Sequence, residues 1–419
     1  MFKRNAIFVL VLLIAGFVTA DETKDTKVKA AWTAYKAASG YEECADISRR
    51  ILEEYPENKY AAIFITSIIN NDYHRQGKHV DTIAYLENLI SRTENVRQVN
   101  HIQFKLLELY GISRLTDKFN STFDKLMALE KLNNEDYYQL MRICSENDHW
   151  DALKKSLMAA EEGFTQDDMG KGYFFTFKAW WMANNGQLDD ALSLFKTADS
   201  LLPKNVFGVS VFPMCYLFLG KAQLLKGGYE AGIENIAKGV FMEGDSKLVK
   251  HLRAVYVAKN GNDDGFESEV LALRTKYAPT FPDFTAYSYD GKEHTFSKLT
   301  GKLTLLHFWA ASCSPCHRLL VRQKSTFDKY REKGLSYVAY SLEPNKMRDR
   351  MFIAGNKLEF TFLTLGENQN TRDQAAMYGV KIFPTILLID EQGRILYRYV
   401  NFHIGDEHDI EKDIARLLD

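Results

Sequence analysis

A helical pattern that repeats and then stops limits the fold of this chain more than any other feature. A short turn, an aromatic or aliphatic residue, acidic or small residues and an apolar i, i+3/i+4 run recur seven times. Tyr41, Val80, Phe119, Trp150, Leu188, Tyr229 and Phe266 lead the units, with separations of 39, 39, 31, 38, 41 and 37 residues. Periods of this size signify stacked helix pairs, because one pair is too small to bury its own apolar face. Prolines mark the end of the pattern. Between residues 25 and 277 there are Pro56, Pro203 and Pro213, whereas Pro279, Pro282, Pro315, Pro344 and Pro384 crowd the last 141 residues. Two prolines in Ala278-Pro279-Thr280-Phe281-Pro282 stop a helix and favour extended chain. The 419 residues thus divide into an expected helical-repeat domain at 21–277 and a second domain at 278–419.

Two units carry a sharper signature. Ala179-Trp180-Trp181-Met182-Ala183-Asn184-Asn185-Gly186-Gln187-Leu188-Asp189-Asp190-Ala191-Leu192 is one; Gly220 to Leu225 followed by Gly227-Gly228-Tyr229-Glu230-Ala231 is the other. These resemble tetratricopeptide repeats, and the remaining units resemble them loosely. The resemblance implies an all-α, TPR-like solenoid of helical hairpins whose concave face can hold a protein partner or serve as a spacer. The aromatic run Tyr173, Phe174, Phe175, Phe177, Trp180 and Trp181 is expected to be core between repeats, since a stripe at helical spacing ordinarily faces inward.

The N-terminus reads as an export signal. Lys3 and Arg4 precede a 13-residue apolar run, Ala6 to Val18, and Val18-Thr19-Ala20 supplies a small-residue exit. That is the layout of a signal peptide, expected at 1–20, and the run is short of the roughly 20 residues needed to span a bilayer. A soluble, extracytoplasmic protein is expected. The net charge of -2 and the absence of a Lys/Arg-rich run exclude nucleic acid as an expected partner. Of five cysteines, Cys44, Cys144 and Cys215 stand apart in helical patterns and are expected to be small buried hydrophobes. Cys313 and Cys316 form a local pair.

Beyond Pro282 the period changes. Asp283 to Tyr289 alternates, Asp290-Gly291 is a hairpin turn, and Leu303 to Trp309 reads as a buried central strand. A helix from Pro315 to Lys333, a strand from Leu335 to Ser341 and a helix at Met347–Ala354 are expected next. An apolar piece at Thr361–Leu365, a helix at Arg372–Tyr378, a hairpin of Ile386–Ile389 with Ile395–Val400, and a final helix at Glu407–Leu418 complete the reading. This is a mixed α/β sheet covered on both faces. Cys313 ends a strand-to-helix loop and Cys316 lies in the helix's first turn. There, orphan N–H groups and the positive helix end favour a thiolate, and the second thiol is placed to resolve a mixed disulfide. No second Cys pair accompanies them, so a structural zinc site is not expected. Cys313-Ser314-Pro315-Cys316-His317 also fits the c-type haem attachment pattern, but its strand–turn–helix setting is that of redox thiols. No cofactor or metal is expected.

Residues 279–400 resemble the TlpA-like, thioredoxin-fold disulfide oxidoreductases of bacterial envelopes, a group that includes cytochrome c maturation reductases. Phe281-Pro282-Asp283-Phe284-Thr285, Asp290-Gly291-Lys292, Phe308-Trp309-Ala310 with the Cys pair, Tyr378-Gly379-Val380, Phe383-Pro384-Thr385 and Ile389-Asp390 through Gly393 carry the resemblance. It implies a redox-active disulfide in which Cys313 is the nucleophile and Cys316 the resolving thiol. It also implies a cis Pro384 beside the pair, and Trp309, Phe383, Pro384 and Thr385 as substrate-positioning residues. Exported disulfide-bearing proteins would be the substrates, a membrane-bound thiol protein the electron donor, and the bacterial periplasm the location. Three departures stand out. Ser312 occupies a position usually held by Trp. Leu319 takes that of a tuning Glu, for which Glu343 is a substitute in proton transfer. His307 replaces a buried Asp or Asn; a core histidine is the favoured reading, and a proton shuttle for Cys316 the other. His317 either favours the Cys313 thiolate or is solvated. A disulfide reductase is the leading expectation. A peroxidase is disfavoured because Ala310 stands where such enzymes carry Thr, and an adaptor with a secondary redox domain is the remaining alternative.

Overall fold

The computed structural model describes residues 24–38, 40–129, 132–164, 166–203, 212–243, 246–343, 346–365, 375, 378–380, 382–400 and 407–419. The expected signal peptide, Pro344 and most of the expected Arg372–Tyr378 helix lie outside these residues. The chain forms two compact units, 1–129 and 130–419.

The first unit contains α1 (Lys24–Ala37), α2 (Tyr41–Glu54), α3 (Ala61–Ile68) running into a π-helical turn (Ile69–Arg75), α4 (His79–Ser91), α5 (Val96–Ile112) and α6 (Thr116–Met127). The second begins with α7 (Asn134–Glu146), α8 (Trp150–Phe164), α9 (Asp168–Asn184), α10 (Leu188–Leu201), α11 (Pro213–Leu225), α12 (Tyr229–Glu243), α13 (Ser246–Asn260) and α14 (Phe266–Tyr277). Helices α5/α6, α7/α8, α9/α10 and α11/α12 pack as consecutive pairs. The turns explain the repeat. Gly77, Arg114, Asp148, Gly186 and Gly227 all have positive φ, and each stands two residues before the next helix begins. In four of these turns the following N–H closes back on the preceding helix: Leu115 on Tyr110, His149 on Cys144, Gln187 on Met182 and Gly228 on Gln223, at 2.8–3.0 Å. This is the Schellman closure, which satisfies carbonyls at a helix end and reverses the chain. All seven leading residues fall in the first turn of a helix. They are not uniformly core, however: Phe119 and Phe266 are buried, while Val80 is 80% exposed. Of the aromatic run, Phe174, Phe177 and Trp180 are buried, with Trp180 stacked on Phe218 at 5.0 Å, whereas Tyr173, Phe175 and Trp181 stay partly exposed.

The rest of the second unit is a seven-stranded sheet in the order β2-β1-β5-β4-β3-β6-β7. Its strands are β1 (Thr285–Ser288), β2 (Glu293–Thr295), β3 (Leu303–Ala310), β4 (Leu335–Glu343), β5 (Thr361–Thr364), β6 (Thr385–Asp390) and β7 (Ile395–Val400). The helices are α15 (Ser314–Tyr330), α16 (Lys346–Gly355) and α17 (Glu407–Leu418). Strands β3, β4 and β5 run parallel, while β6 is antiparallel to β3 and to β7. Every residue of β3 is buried, as its apolar sequence requires for a central strand. One face packs under Leu319, Leu320, Ile410 and Ile414 of α15 and α17; the other packs under Phe281, Phe284, Phe296 and Tyr378. This is a thioredoxin-like domain following an all-α region.

Helix and sheet regions meet closely. The chain leaving α14 pairs with the β6–β7 turn, Thr280 bridging Arg394 and Phe281 N–H donating to Gly393 O at 2.7 Å. Arg274 on α14 is 6% exposed. It donates to Leu396 O at 3.1 Å and lies 4.2 Å over the Tyr397 ring. Glu267 on the same helix pairs with Arg416 of α17 at 3.2 Å.

Candidate active site

The parallel strands β3 and β4 deliver the site at their C-terminal ends. Ala310 opposes Glu343 in register, and Ala311 N–H donates to Glu343 O at 3.3 Å. On the other flank Phe308 pairs with Thr385, so the antiparallel register brings Pro384 level with Trp309, four residues before Cys313. The Phe383–Pro384 bond is cis. Cys313 then caps α15, its Sγ accepting the Cys316 N–H at 3.2 Å. The two cysteines form a disulfide with their Cα atoms 5.3 Å apart. Cys313 is half-buried and Cys316 has no exposure. An N-cap sulfur facing an orphan N–H at the positive end of a helix is favoured as the thiolate. Burial disfavours the same ionisation at Cys316. The asymmetry is built into the first turn.

Several expected residues take positions that narrow their roles. Trp309, expected to position substrate, is wholly buried. It alternates inward with Leu305 and His307 along β3, so it supports the site from behind instead of meeting a substrate. Pro384 and Thr385 are likewise buried, with Thr385 Oγ1 donating to Ile382 O at 2.8 Å. Phe383 is half-exposed at the front of this loop. Glu343 reaches the loop ahead of the pair, its Oε2 accepting the Ser312 hydroxyl at 3.2 Å. His307 is fully buried, with Nδ1 2.9 Å from Tyr337 Oη. Desolvation pushes its pKa down to about 3, so the imidazole is neutral. Its Nε2 is buried without a hydrogen-bond partner.

His317 is half-buried. It stacks on Phe352 of α16 at 4.3 Å, with Trp309 edge-on at 5.8 Å. Burial, then the neighbouring Arg348, holds its pKa below the ordinary value. Sequence reasoning missed this cluster, which seats α16 beside the Cys helix; only proximity of His317 to the pair hinted at it. It also missed a buried polar pair in which Tyr289 Oη donates to the fully buried Asp349 at 2.7 Å. The two residues are 60 positions apart, and no local pattern links them. Cys44, Cys144 and Cys215 are buried and outside any disulfide, and desolvation pushes the Cys144 thiol well up.

Residues 277–414 match the family model described as Redoxin. Over 119 residues the chain is 27% identical to thiol-disulfide oxidoreductase ResA of Bacillus anthracis, covering 28% of this chain and 66% of that one. Identity is 29% over 116 residues with ResA of Geobacillus thermodenitrificans, covering 28% and 64%. The chain thus spans about two thirds of the length of these curated relatives. Among solved structures, a putative thiol:disulfide interchange protein DsbE from Chlorobium tepidum is 32% identical. The match covers 34% of this chain and 97% of that one, with a TM-score of 0.31.

Proposed function

We propose that the Redoxin domain makes this chain a thiol–disulfide oxidoreductase working in the reducing direction on exported, disulfide-bearing proteins. The observation that carries the reading is the asymmetric pair: a half-open Cys313 sulfur on a helix N-terminus, backed by a sealed Cys316. In the reduced protein the Cys313 thiolate attacks one sulfur of a substrate disulfide. The substrate S–S bond breaks, a mixed disulfide forms, and the released thiolate takes a proton from solvent. Cys316 loses its proton and attacks Cys313 Sγ, expelling the second substrate thiolate, which is protonated in turn. Two electrons pass to the substrate and the Cys313–Cys316 disulfide remains. A dithiol donor, expected to be a membrane-bound thiol protein, must reduce it again.

His307, neutral and with Nδ1 2.9 Å from Tyr337 Oη, is a buried core histidine in this reading. Glu343 supports the first step by fixing Ser312, and Phe383 supplies backbone to an extended substrate. The leader expected at 1–20 supports export, with the periplasm as destination; no described helix is long and apolar enough to cross a membrane. In this reading, 21–277 is a TPR-like domain available to a protein partner, and 278–419 carries the chemistry.

The test is catalysis of disulfide reduction in a folded protein substrate by a dithiol donor, followed with the wild type and Cys316→Ser. Wild type should accelerate reduction, and Cys316→Ser should accumulate a substrate adduct on Cys313. Equal rates with and without the protein would refute the reading.

A further inference from the structure

The Cys helix carries an imidazole that the thiol exchange leaves unused. Cys313 is the N-cap of α15 and His317 stands four residues on, its N–H donating to Cys313 O at 3.2 Å. Residues at i and i+4 share a helix face, so a cationic His317 would lie beside the Cys313 sulfur and favour its thiolate. The ring is held instead in an aromatic stack. Phe352 of α16 lies with its centroid 4.3 Å away and its plane tilted by 26°, and the Trp309 indole of β3 meets the imidazole edge-on at 5.8 Å. The His317 Nε2 is buried without a hydrogen-bond partner, and an imidazolium N–H in that place would need an acceptor. A phenyl face attracts a cation weakly, and burying a charged N–H without an acceptor costs more. The charges around the ring come from several elements. Burial, then Arg348 of α16, keeps the imidazole below its ordinary pKa, while Asp349 on the same helix accepts the Tyr289 hydroxyl. Glu343 at the end of β4 accepts the Ser312 hydroxyl, Arg318 follows His317 on α15, and β3 contributes the uncharged Trp309.

We propose that Phe352 is a positioning residue for the Cys pair: by holding His317 in the stack it withholds a cation from the Cys313 thiolate and keeps the pair reducing. The inference rests on the redox reading and assigns what sets its direction. A pair whose dithiol form is stabilised is the stronger oxidant. Here the helix N-terminus already favours the Cys313 thiolate through the Cys316 N–H. A cationic His317 one turn on would stabilise the reduced form further, and the pair would then accept electrons from a substrate instead of passing them on. Phe352 prevents this from a neighbouring helix, so the balance of the pair is set by how α16 packs on α15 as well as by the first turn itself.

The experiment uses the full chain and glutathione. It reads the midpoint of Cys313 ionisation from the pH dependence of iodoacetamide alkylation, the His317 imidazole pKa by NMR, and the equilibrium constant of the pair with glutathione. Phe352→Leu keeps an apolar side chain and removes the ring. The His317 pKa should rise, the Cys313 midpoint should fall by about one pH unit, and the glutathione equilibrium should shift about tenfold towards the dithiol. Phe352→Tyr, which restores a ring, should return each readout to its wild-type value. His317→Phe should sit near wild type, and adding Phe352→Leu to it should move the Cys313 midpoint and the glutathione equilibrium no further. Equal shifts from Phe352→Leu with and without His317 would reduce Phe352 to packing and overturn the proposal, as would an unchanged His317 pKa in Phe352→Leu. These readouts need no protein substrate, so a wild-type chain that fails to reduce protein disulfides would count against the redox reading alone.

Discussion

The helical and sheet regions of residues 130–419 put the same residue type to opposite uses. Cys144 and Cys215 sit at 0% exposure in helix pairs, where burial keeps a thiol protonated and inert. Cys313 occupies a helix N-terminus delivered by a buried strand, where an N–H meets its sulfur. Reactivity therefore depends on where the fold places a thiol, and a repeat that buries every inward side chain alike offers no such place. Both regions enclose polar groups, Ser145, Ser156 and Thr176 among the helices and His307, Ser341, Asp349 and Gln323 in the sheet region, which an apolar core would exclude unless paired or needed.

The contrast is sharpest if the thiols are removed one at a time. Cys313→Ala should lower disulfide turnover roughly a thousandfold or more. Cys144→Ala should leave turnover within about twofold and cost roughly 1–2 kcal/mol of stability, measured by urea denaturation. A catalytic loss in Cys144→Ala would break the comparison.

Next in size is the seam between the regions. Arg274→Ala removes a buried guanidinium that binds Leu396 O and covers Tyr397. It should cost roughly 2–4 kcal/mol and separate helix and sheet unfolding, seen as diverging far- and near-ultraviolet dichroism transitions. A single unshifted transition would show that the seam contributes nothing.

An effect of comparable size concerns acid. His307 has its folded pKa depressed to about 3, below the unfolded value of about 6.5. Between these values the unfolded chain binds the extra proton. Stability therefore falls as pH drops through that window, with up to about 1.4 kcal/mol per pH unit from this group. His307→Asn should flatten the dependence of urea midpoint on pH between 6 and 4. An unchanged slope would place the acid sensitivity elsewhere.

Smallest are the turns. Arg114 and Asp148 hold φ of 55° and 61°, where a side chain is strained and glycine is not. Arg114→Gly and Asp148→Gly should each stabilise by up to about 1 kcal/mol. Gly186→Ala, at φ 82°, should do the reverse.

These turns also show what the sequence discloses. The turn before each repeat's second helix was legible because the chain must reverse after every helix, and Gly186 and Gly227 advertise it. Val80 leads its unit yet is 80% exposed, because hydrophobicity at a helix start is compatible with exposure. In the sheet region the strands, the Cys pair and the β6–β7 hairpin were legible from local period and turn chemistry. Pairing of β1 with β5 was not, since it joins segments about 75 residues apart. Nor was the burial of Arg274, because an arginine on an amphipathic helix ordinarily faces water. His317 reads as a neighbour of two cysteines, and only tertiary packing shows that it belongs to Phe352.

The most direct test of the account is site-resolved alkylation of the fully reduced, folded chain. Brief treatment with iodoacetamide at neutral pH, read by peptide mass spectrometry, should label Cys313 and leave Cys316, Cys44, Cys144 and Cys215 unmodified until the protein is denatured. Labelling of Cys316 ahead of Cys313, or of all five at similar rates, would contradict it.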